Sequence, residues 1–394
     1  MLSELLSSIG KTFPVPAQFV RAIPKDIAGL SRLLTSARPE RKDGYLGVPR
    51  NFSAYIRYFL PWNIYKLCKL FSSDELSRSI KNLFTDNTVI TDLGSGPLSV
   101  PLALWCAFPG LHKKMTVYAV DQNKNTLKAG RELFTSFAGM NSWKIVTICE
   151  RIESDFKTPP ANLVTAAFTL NEAVEKIPQA DTAALGKLAK KTALRLIKRT
   201  EQAGAILIVE PGVPRSAQFL SLLKEAFEEL GFFARFPCPL ETNCCMRGGR
   251  RGSKWCHFVF DTDDAPDLLQ ETSAQAGLPK ERAALSFLFL QNVSTGNTST
   301  PLCADSVPLP IHSAPFSADS AQNRKAGCAI RVISEAFRLP ENKMGRYCCS
   351  PSGLLLIRGA AAVIIRHTSG TLLKPDTVRF AGKDRKSGAV IVDI

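Results

Sequence analysis

Two constellations in this chain have residue types and spacings suited to chemistry. The first reads Cys238-Pro-Leu-Glu-Thr-Asn-Cys244-Cys245-Met-Arg247-Gly-Gly-Arg250-Arg251-Gly-Ser-Lys254-Trp-Cys256-His257. Thiolates are ligands for zinc and for iron–sulfur clusters, and four cysteines are the usual set for either. The C-x5-C-x11-C spacing is neither the paired C-x2-C knuckles of a zinc ribbon nor a compact C-x3-C-x2-C triad. A fourth thiolate is available from Cys348 or Cys349, and His257 is a reserve ligand beside Cys256. The second constellation is Asp92-Leu-Gly94-Ser-Gly96, with a further acid at Asp121. Glycines permit a tight turn and let backbone N–H groups approach a ligand closely. A dinucleotide fingerprint would place Gly or Ala at position 99, where this chain has Ser99.

These residues need elements to position them. From 88 to 260, apolar runs alternate with helical patterns, and the runs at 88–93, 115–120, 143–149, 163–170 and 205–210 predict strands. Nearly continuous apolar strands with crossover helices imply a parallel sheet covered on both faces. The glycine turn then follows the first strand and opens the first helix, while Asp121 ends the second strand. Two more strands, at 232–237 and 254–260, have no helix-length segment between them, so an antiparallel hairpin is expected. That hairpin would bring Cys238 and Cys256 together, with Cys244 folding back from the loop. After the fourth strand come Phe168-Thr-Leu-Asn171-Glu172, where Asn171 and Glu172 are weak catalytic candidates. The same two residues suit a helix N-cap and a first-turn acid.

The rest of the chain frames this α/β part. Residues 1–85 read as helical, with Pro61 expected to break or kink a helix inside YFLPWN. The α/β domain spans 86–292 and carries the cysteine hairpin at 232–260. Residues 293–325, rich in Ser, Thr, Ala and Pro, predict a disordered insertion. Short β-like runs over 326–394 predict a small basic β domain, with an OB-like barrel as its expected form.

The chain has 394 residues, with 50 Lys plus Arg against 35 Asp plus Glu, a net charge of +15. That balance favours a polyanionic partner, most simply nucleic acid. Hydrophobic residues at 45% argue against global disorder. No apolar run is long enough to span a membrane. The N-terminus shows neither a secretory signal nor an Arg-rich, acid-poor presequence, which leans towards a bacterial cytoplasm over a mitochondrial matrix. Eleven cysteines without a secretory signal point to ligands or core positions, since disulfides are rare in reducing compartments. Cys68, Cys106 and Cys149 lie in apolar stretches and are expected in the core. The charge concentrates in residues 324–394, with thirteen Lys or Arg against five Asp or Glu, and in the Arg247, Arg250, Arg251 and Lys254 loop. Glycines in that loop would let the arginines approach phosphates.

The Asp-x-Gly-x-Gly turn after a first strand, with an acid ending the second, resembles the first motif of class I S-adenosylmethionine-dependent methyltransferases. The resemblance implies a Rossmann-like seven-stranded sheet and S-adenosylmethionine held by Asp92, Gly94, Gly96 and Asp121. Asp121 would bind the ribose hydroxyls, and Asp92 would lie near the methionine end. Amino-methylating members carry Asn/Asp-Pro-Pro-aromatic after strand four; here no Pro pair follows Asn171. The cysteine nucleophile of pyrimidine-C5 enzymes is also missing at that turn.

A narrower resemblance rests on Arg57-Tyr-Phe-Leu-Pro-Trp-Asn63, Val209-Glu210-Pro211-Gly212, Pro237-Cys238-Pro239, Trp255-Cys256-His257-Phe258 and Cys349-Ser-Pro-Ser-Gly353. These are similar to the methyltransferase-like proteins of the mitochondrial small ribosomal subunit and their bacterial homologues. The resemblance implies a [4Fe–4S] cluster on Cys238, Cys244, Cys256 and Cys349. It also implies a factor that binds small-subunit rRNA during ribosome assembly and supports translation; no membrane partner is expected, and the protein is expected to be a monomer. Cys245 replaces an expected Pro, and Cys348 adjoins Cys349, so each pair offers two ligands. Three readings follow: an rRNA-binding assembly factor, an active S-adenosylmethionine-dependent rRNA methyltransferase, and a zinc-stapled RNA-binding protein without catalysis.

Overall fold

A computed structural model of the chain describes residues 1–37, 40, 44–110, 114–140, 142–238, 244, 246, 254–292, 324–325, 330–350, 353–373 and 377–394. They fall into two compact units. The first comprises Met1–Thr169, Arg199–Gly204 and Asp261–Ala283, and the second Leu170–Lys198, Ala205–Phe260 and Ala284–Ile394.

The first unit begins with helices α1 (Leu2–Thr12), α2 (Ala17–Val20), α3 (Ile23–Leu34), α4 (Pro49–Ala54), α5 (Leu60–Phe71) and α6 (Asp74–Leu83). α4 runs into α5 through a π turn at Tyr55–Phe59, so the helix continues across Pro61 instead of breaking. Proline has no N–H to donate, and in the first turn of α5 its ring is accommodated by the wider turn before it. Side chains of this segment fasten it in place. Tyr58 OH donates to Leu278 O at 3.1 Å, Trp62 Nε1 to Ser273 Oγ at 3.1 Å, and Tyr65 OH to Asp261 O at 2.9 Å.

Four parallel strands follow: β1 (Val89–Leu93), β2 (Thr116–Asp121), β3 (Lys144–Cys149) and β4 (Ala161–Ala167), with α7 (Ser99–Ala107) and α8 (Lys124–Ala138) as crossovers. Trp105, Phe134, Trp143, Phe84 and Phe108 meet edge to face at centroid distances of 5.2 to 6.5 Å, filling the space under the helices. Cys106 is buried and Cys68 half-buried, as packing residues of α7 and α5. Cys149 is exposed, contrary to its expected core position, because it ends β3 at the sheet edge; its Sγ donates to Gln122 O at 3.6 Å.

The second unit holds α9 (Asn171–Glu175), α10 (Thr182–Ile197), most of β5 (Thr200–Pro211), α11 (Pro214–Glu228), β6 (Phe232–Phe236) and most of β7 (Phe258–Asp261). After α12 (Asp267–Gln275) comes β8 (Arg282–Asn292). The strand order is β3-β2-β1-β4-β5-β8-β6, with β7 also on β8. β8 is antiparallel to both neighbours, pairing Phe287 with Val209 and Gln291 with Phe233. The hairpin expected from 232–260 is therefore not formed: β6 and β7 each pair with β8. The physical reason is apolar length. β8 offers eleven residues with an almost wholly buried middle, whereas β7 has four, and Trp255 and Cys256 before it lie outside any strand.

The C-terminal sheet contains β9 (Arg324–Lys325), β10 (Ile330–Val332), β11 (Phe337–Arg338), β12 (Met344–Ser350), β13 (Gly353–Gly359), β14 (Leu372–Leu373), β15 (Thr377–Lys383) and β16 (Val390–Asp393), plus α13 (Ala361–Arg366). Its order is β14-β10-β12-β13-β16-β15-β9, with β11 on β12. Among the described residues this is an open path instead of the expected barrel, with two-residue strands at both ends. Ile330, Val332, Cys348, Leu355, Ile357, Ile364 and Val392 form its core. The expected insertion lies outside the described residues apart from 324–325. Among the described residues, no helix is long and apolar enough to cross a membrane.

Candidate functional site

β1 delivers Asp92, which is 1% exposed. Its Oδ1 accepts from Thr165 Oγ1 of β4 at 2.6 Å, and its Oδ2 accepts from Ser95 Oγ. Burial raises its pKa to about 7, against the lowering effect of those two hydroxyls. One carboxyl oxygen thus serves the turn through Ser95, and the other ties it to β4 through Thr165. Gly94 has φ +66°, and a Cβ there would lie 2.1 Å from Thr169 Oγ1, so only glycine closes this turn. Gly96 has φ +51° and open space where its Cβ would stand. Its N–H donates to Asp121 Oδ2 at 2.9 Å, while Asn123 N–H donates to Asp121 Oδ1 at 2.8 Å. Burial pushes the Asp121 carboxyl upward as well. Gly130 of α8 is a member of this site that spacing does not single out. A Cβ there would come 2.6 Å from the Pro97 carbonyl carbon, so its absence lets α8 press on the turn.

The turn and Asp121 lie at the carboxyl ends of β1 and β2, beside the point where the strand order reverses between β1 and β4. In open α/β sheets ligands bind at that point. An open face at Gly96 and an acceptor-only carboxylate one hydrogen bond away fit a nucleoside whose ribose diol donates to the carboxylate.

In the second unit, Glu210, next to last in β5, is fully buried, at 0% exposure. Its carboxylate accepts from Leu170 N–H at 2.8 Å and from Asn171 N–H at 3.2 Å. These bonds fix the start of α9. Leu170 holds the N-cap position expected of Asn171, and Glu172 is the first-turn acid. Asn171 Oδ1 is buried without a hydrogen-bond partner. Glu210 is legible only as the lone acid closing the apolar run AILIVE, a charge that burial tolerates only when hydrogen-bonded.

The cysteines are placed as follows. Cys238 succeeds the cis Phe236–Pro237 bond, and Pro237 O accepts from Arg331 Nε at 3.0 Å. Arg331 on β10 stands opposite Cys349 on β12. Cys256 O accepts from Ser286 Oγ of β8 at 2.7 Å. Cys348 is 0% exposed in the core, which pushes its thiol pKa up, while strand alternation turns Cys349 to the other face. Among the described residues, no three His, Cys, Asp or Glu side chains are gathered to hold a metal ion, and no disulfide joins the described cysteines. Cys238 and Cys256 are not joined by the expected pairing of β6 with β7, and most of the chain between them lies outside the described residues. His257 stacks on Trp255 at 4.9 Å, and its Nδ1 lies 3.0 Å from Trp255 O, a structural role. Lys254 Nζ stands 4.7 Å from the Tyr347 ring centroid. Cys245, Arg247, Arg250 and Arg251 lie outside the described residues.

An antiparallel strand inserted beside β5, a glycine turn after β1 and an acid ending β2 define the class I S-adenosylmethionine-dependent methyltransferase fold. A profile of the mitochondrial small ribosomal subunit Rsm22 family matches residues 53–299, and the chain belongs to that family. The family description accords with the mitochondrial alternative for its compartment.

Solved structures similar to the chain include a proposed class I S-adenosylmethionine-dependent methyltransferase from Listeria monocytogenes. It is 8% identical, with 75% of this chain and 88% of that one covered and a TM-score of 0.36. A proposed rRNA methylase from Clostridium thermocellum is 10% identical, covering 56% and 96%, with a TM-score of 0.32. TrmN from Thermus thermophilus is 14% identical, with 55% of this chain covered and a TM-score of 0.32; the chain spans 48% of that protein's length. No curated protein matches the sequence.

Proposed function

We propose that the chain is a small-ribosomal-subunit factor that binds rRNA in the mitochondrial matrix as a monomer and holds S-adenosylmethionine at the glycine turn. The observation that carries the cofactor part is the Gly96–Asp121 pair at the strand-order reversal, open where a nucleoside would lie. When bound, S-adenosylmethionine supplies an activated methyl group, whose transfer demands chiefly position. Asp121 would hold the ribose, Asp92 keeps the turn in shape, and Glu210 sets the backbone at Leu170 and Asn171. Calorimetry with S-adenosylhomocysteine tests this: Asp121→Asn should weaken binding at least about tenfold, as for a lost charged hydrogen bond. Unchanged affinity would remove Asp121 from the site.

Family membership and the +15 charge support the rRNA part. Affinity for small-subunit rRNA should then fall steeply between about 50 and 200 mM salt. A flat response would argue against phosphate contacts by the Arg247, Arg250, Arg251 and Lys254 loop.

A second reading, active rRNA methylation, is favoured by the unpartnered Asn171 Oδ1, an acceptor at the turn after β4. Gene deletion followed by mapping of rRNA modifications separates the two. A lost methyl mark establishes the enzyme, while a subunit defect with unchanged marks establishes the assembly factor.

A [4Fe–4S] cluster on Cys238, Cys244, Cys256 and Cys349 is the remaining element. The donor set suits it, and the Arg331 link between the Cys238 turn and the Cys349 strand supports it. The described side chains are not gathered for a metal, so no step of the mechanism passes through it. Anaerobic purification with iron, sulfide and zinc analysis decides the matter: zinc favours the stapled alternative, and absence of all three removes the site.

A further inference from the structure

Two lysines of the first unit stand among aromatic rings with no acid beside them. Lys280 Nζ lies 5.7 Å from the Tyr58 ring centroid and 5.5 Å from that of Trp62. One turn further along the same helical segment, Lys66 Nζ lies 5.2 Å from the Phe168 ring centroid. Among the described residues neither ammonium is paired with a carboxylate. Burial, and then the neighbouring Lys280 charge, lower Lys66 to about 7, and burial lowers Lys280 too. Two half-buried like charges disfavour one another, and an anion between them removes that penalty.

The place is informative. Phe168 has φ +56° at the end of β4, and Thr169 beside it is the side chain on which Gly94 closes. The lysines therefore overlook the turn that shapes the cofactor loop, within the same unit. A nucleic-acid phosphate must carry its strand in and out through an open groove. Here the rings beside Lys280, Tyr58 and Trp62, are only 2% and 1% exposed, surroundings that suit the terminus of a small molecule better than a through-running strand. The methyl donor has one such anionic terminus, because its adenosine end is taken by Asp121. We propose that Lys66, assisted by Lys280, binds the α-carboxylate of the methyl donor. This rests on the cofactor reading above and names the far end of that ligand.

The test compares two ligands on the full chain by calorimetry. S-adenosylhomocysteine carries the carboxylate, and 5′-deoxy-5′-methylthioadenosine lacks it. Lys66→Met should weaken the first about 10- to 100-fold and leave the second unchanged, the size of a charged hydrogen bond. Lys66→Arg should restore most of the loss, and Lys280→Met should weaken S-adenosylhomocysteine by a smaller factor. Equal losses for both ligands, or no loss for either, overturn the proposal while wild-type binding keeps the cofactor reading intact. Loss of rRNA binding with S-adenosylhomocysteine affinity unchanged also overturns it and assigns the lysines to a substrate phosphate. A wild-type chain that binds neither ligand refutes the cofactor reading first, and this inference with it.

Discussion

Replacing Gly94 by alanine isolates the geometry of the cofactor turn. Two costs add. A non-glycine residue at φ +66° loses about 1–2 kcal/mol from left-handed backbone sterics. The new Cβ would also lie 2.1 Å from Thr169 Oγ1, 2.5 Å from its Cβ and 2.8 Å from its Cγ2. Overpacking of that kind costs about 1–3 kcal/mol. Gly94→Ala should therefore destabilise the chain by about 2–5 kcal/mol in urea unfolding at unchanged slope. Gly96→Ala, with φ +51° and open space, carries only the backbone cost and serves as the control. All three clashing atoms belong to the Thr169 side chain, so a Thr169→Gly background should return the steric part, a coupling of about 1–3 kcal/mol. A Gly94→Ala cost within about 0.5 kcal/mol of zero, or one that Thr169→Gly does not alter, would refute the reasoning.

Asp92 gives a pH signature. Its carboxyl titrates near 7 when folded and near 3.9 when unfolded. The native chain holds the extra proton between those values, so this stability is present below about pH 4 and lost as pH rises through 7. Asp92→Asn should flatten that slope, and a variant-to-wild-type difference that stays constant from pH 5 to 8 would contradict the assignment. Glu210→Ala strands the N–H groups of Leu170 and Asn171 and should cost about 2–4 kcal/mol in urea unfolding, typical of charged hydrogen bonds lost in a core. Cys348→Ser puts a hydroxyl into an apolar core and should cost about 1–3 kcal/mol without altering bound iron. Cys349→Ser should lower iron content with little change in stability, and the opposite pattern would exchange the two roles.

The part of the fold readable from sequence is the part set by local pattern. β1, β2, β3 and β5 announce themselves as apolar runs, and the glycine turn by its two glycines and Asp121. β8 escapes because pairing partners are not encoded by periodicity. The stretches at 232–237 and 254–260 look like natural neighbours, and nothing local says that a later strand will take the place between β5 and β6. Pro61 misleads for a similar reason, since a π turn upstream satisfies a constraint that the dipeptide alone suggests should end the helix. Gly130 and Lys66 read as ordinary helix residues until tertiary contacts set them against Pro97 and Phe168. Strand alternation alone makes Cys348 and Cys349 face opposite ways on β12, and Cys348 is the one packed into the C-terminal core.

The late position of β8 sets a timetable for synthesis. β6 ends at Phe236, but the strand it pairs with is complete only at Asn292. At 5–20 residues per second, translation separates the two by roughly 3–11 seconds. Through that interval the nascent chain offers an unfilled ladder edge with the Cys238 thiol just beyond it, open to any strand or oxidant that arrives first. A chain halted before Asn292 would keep that edge permanently, so the second unit should be more prone to aggregate from C-terminal truncation within 282–292 than from loss of the whole N-terminal helical part.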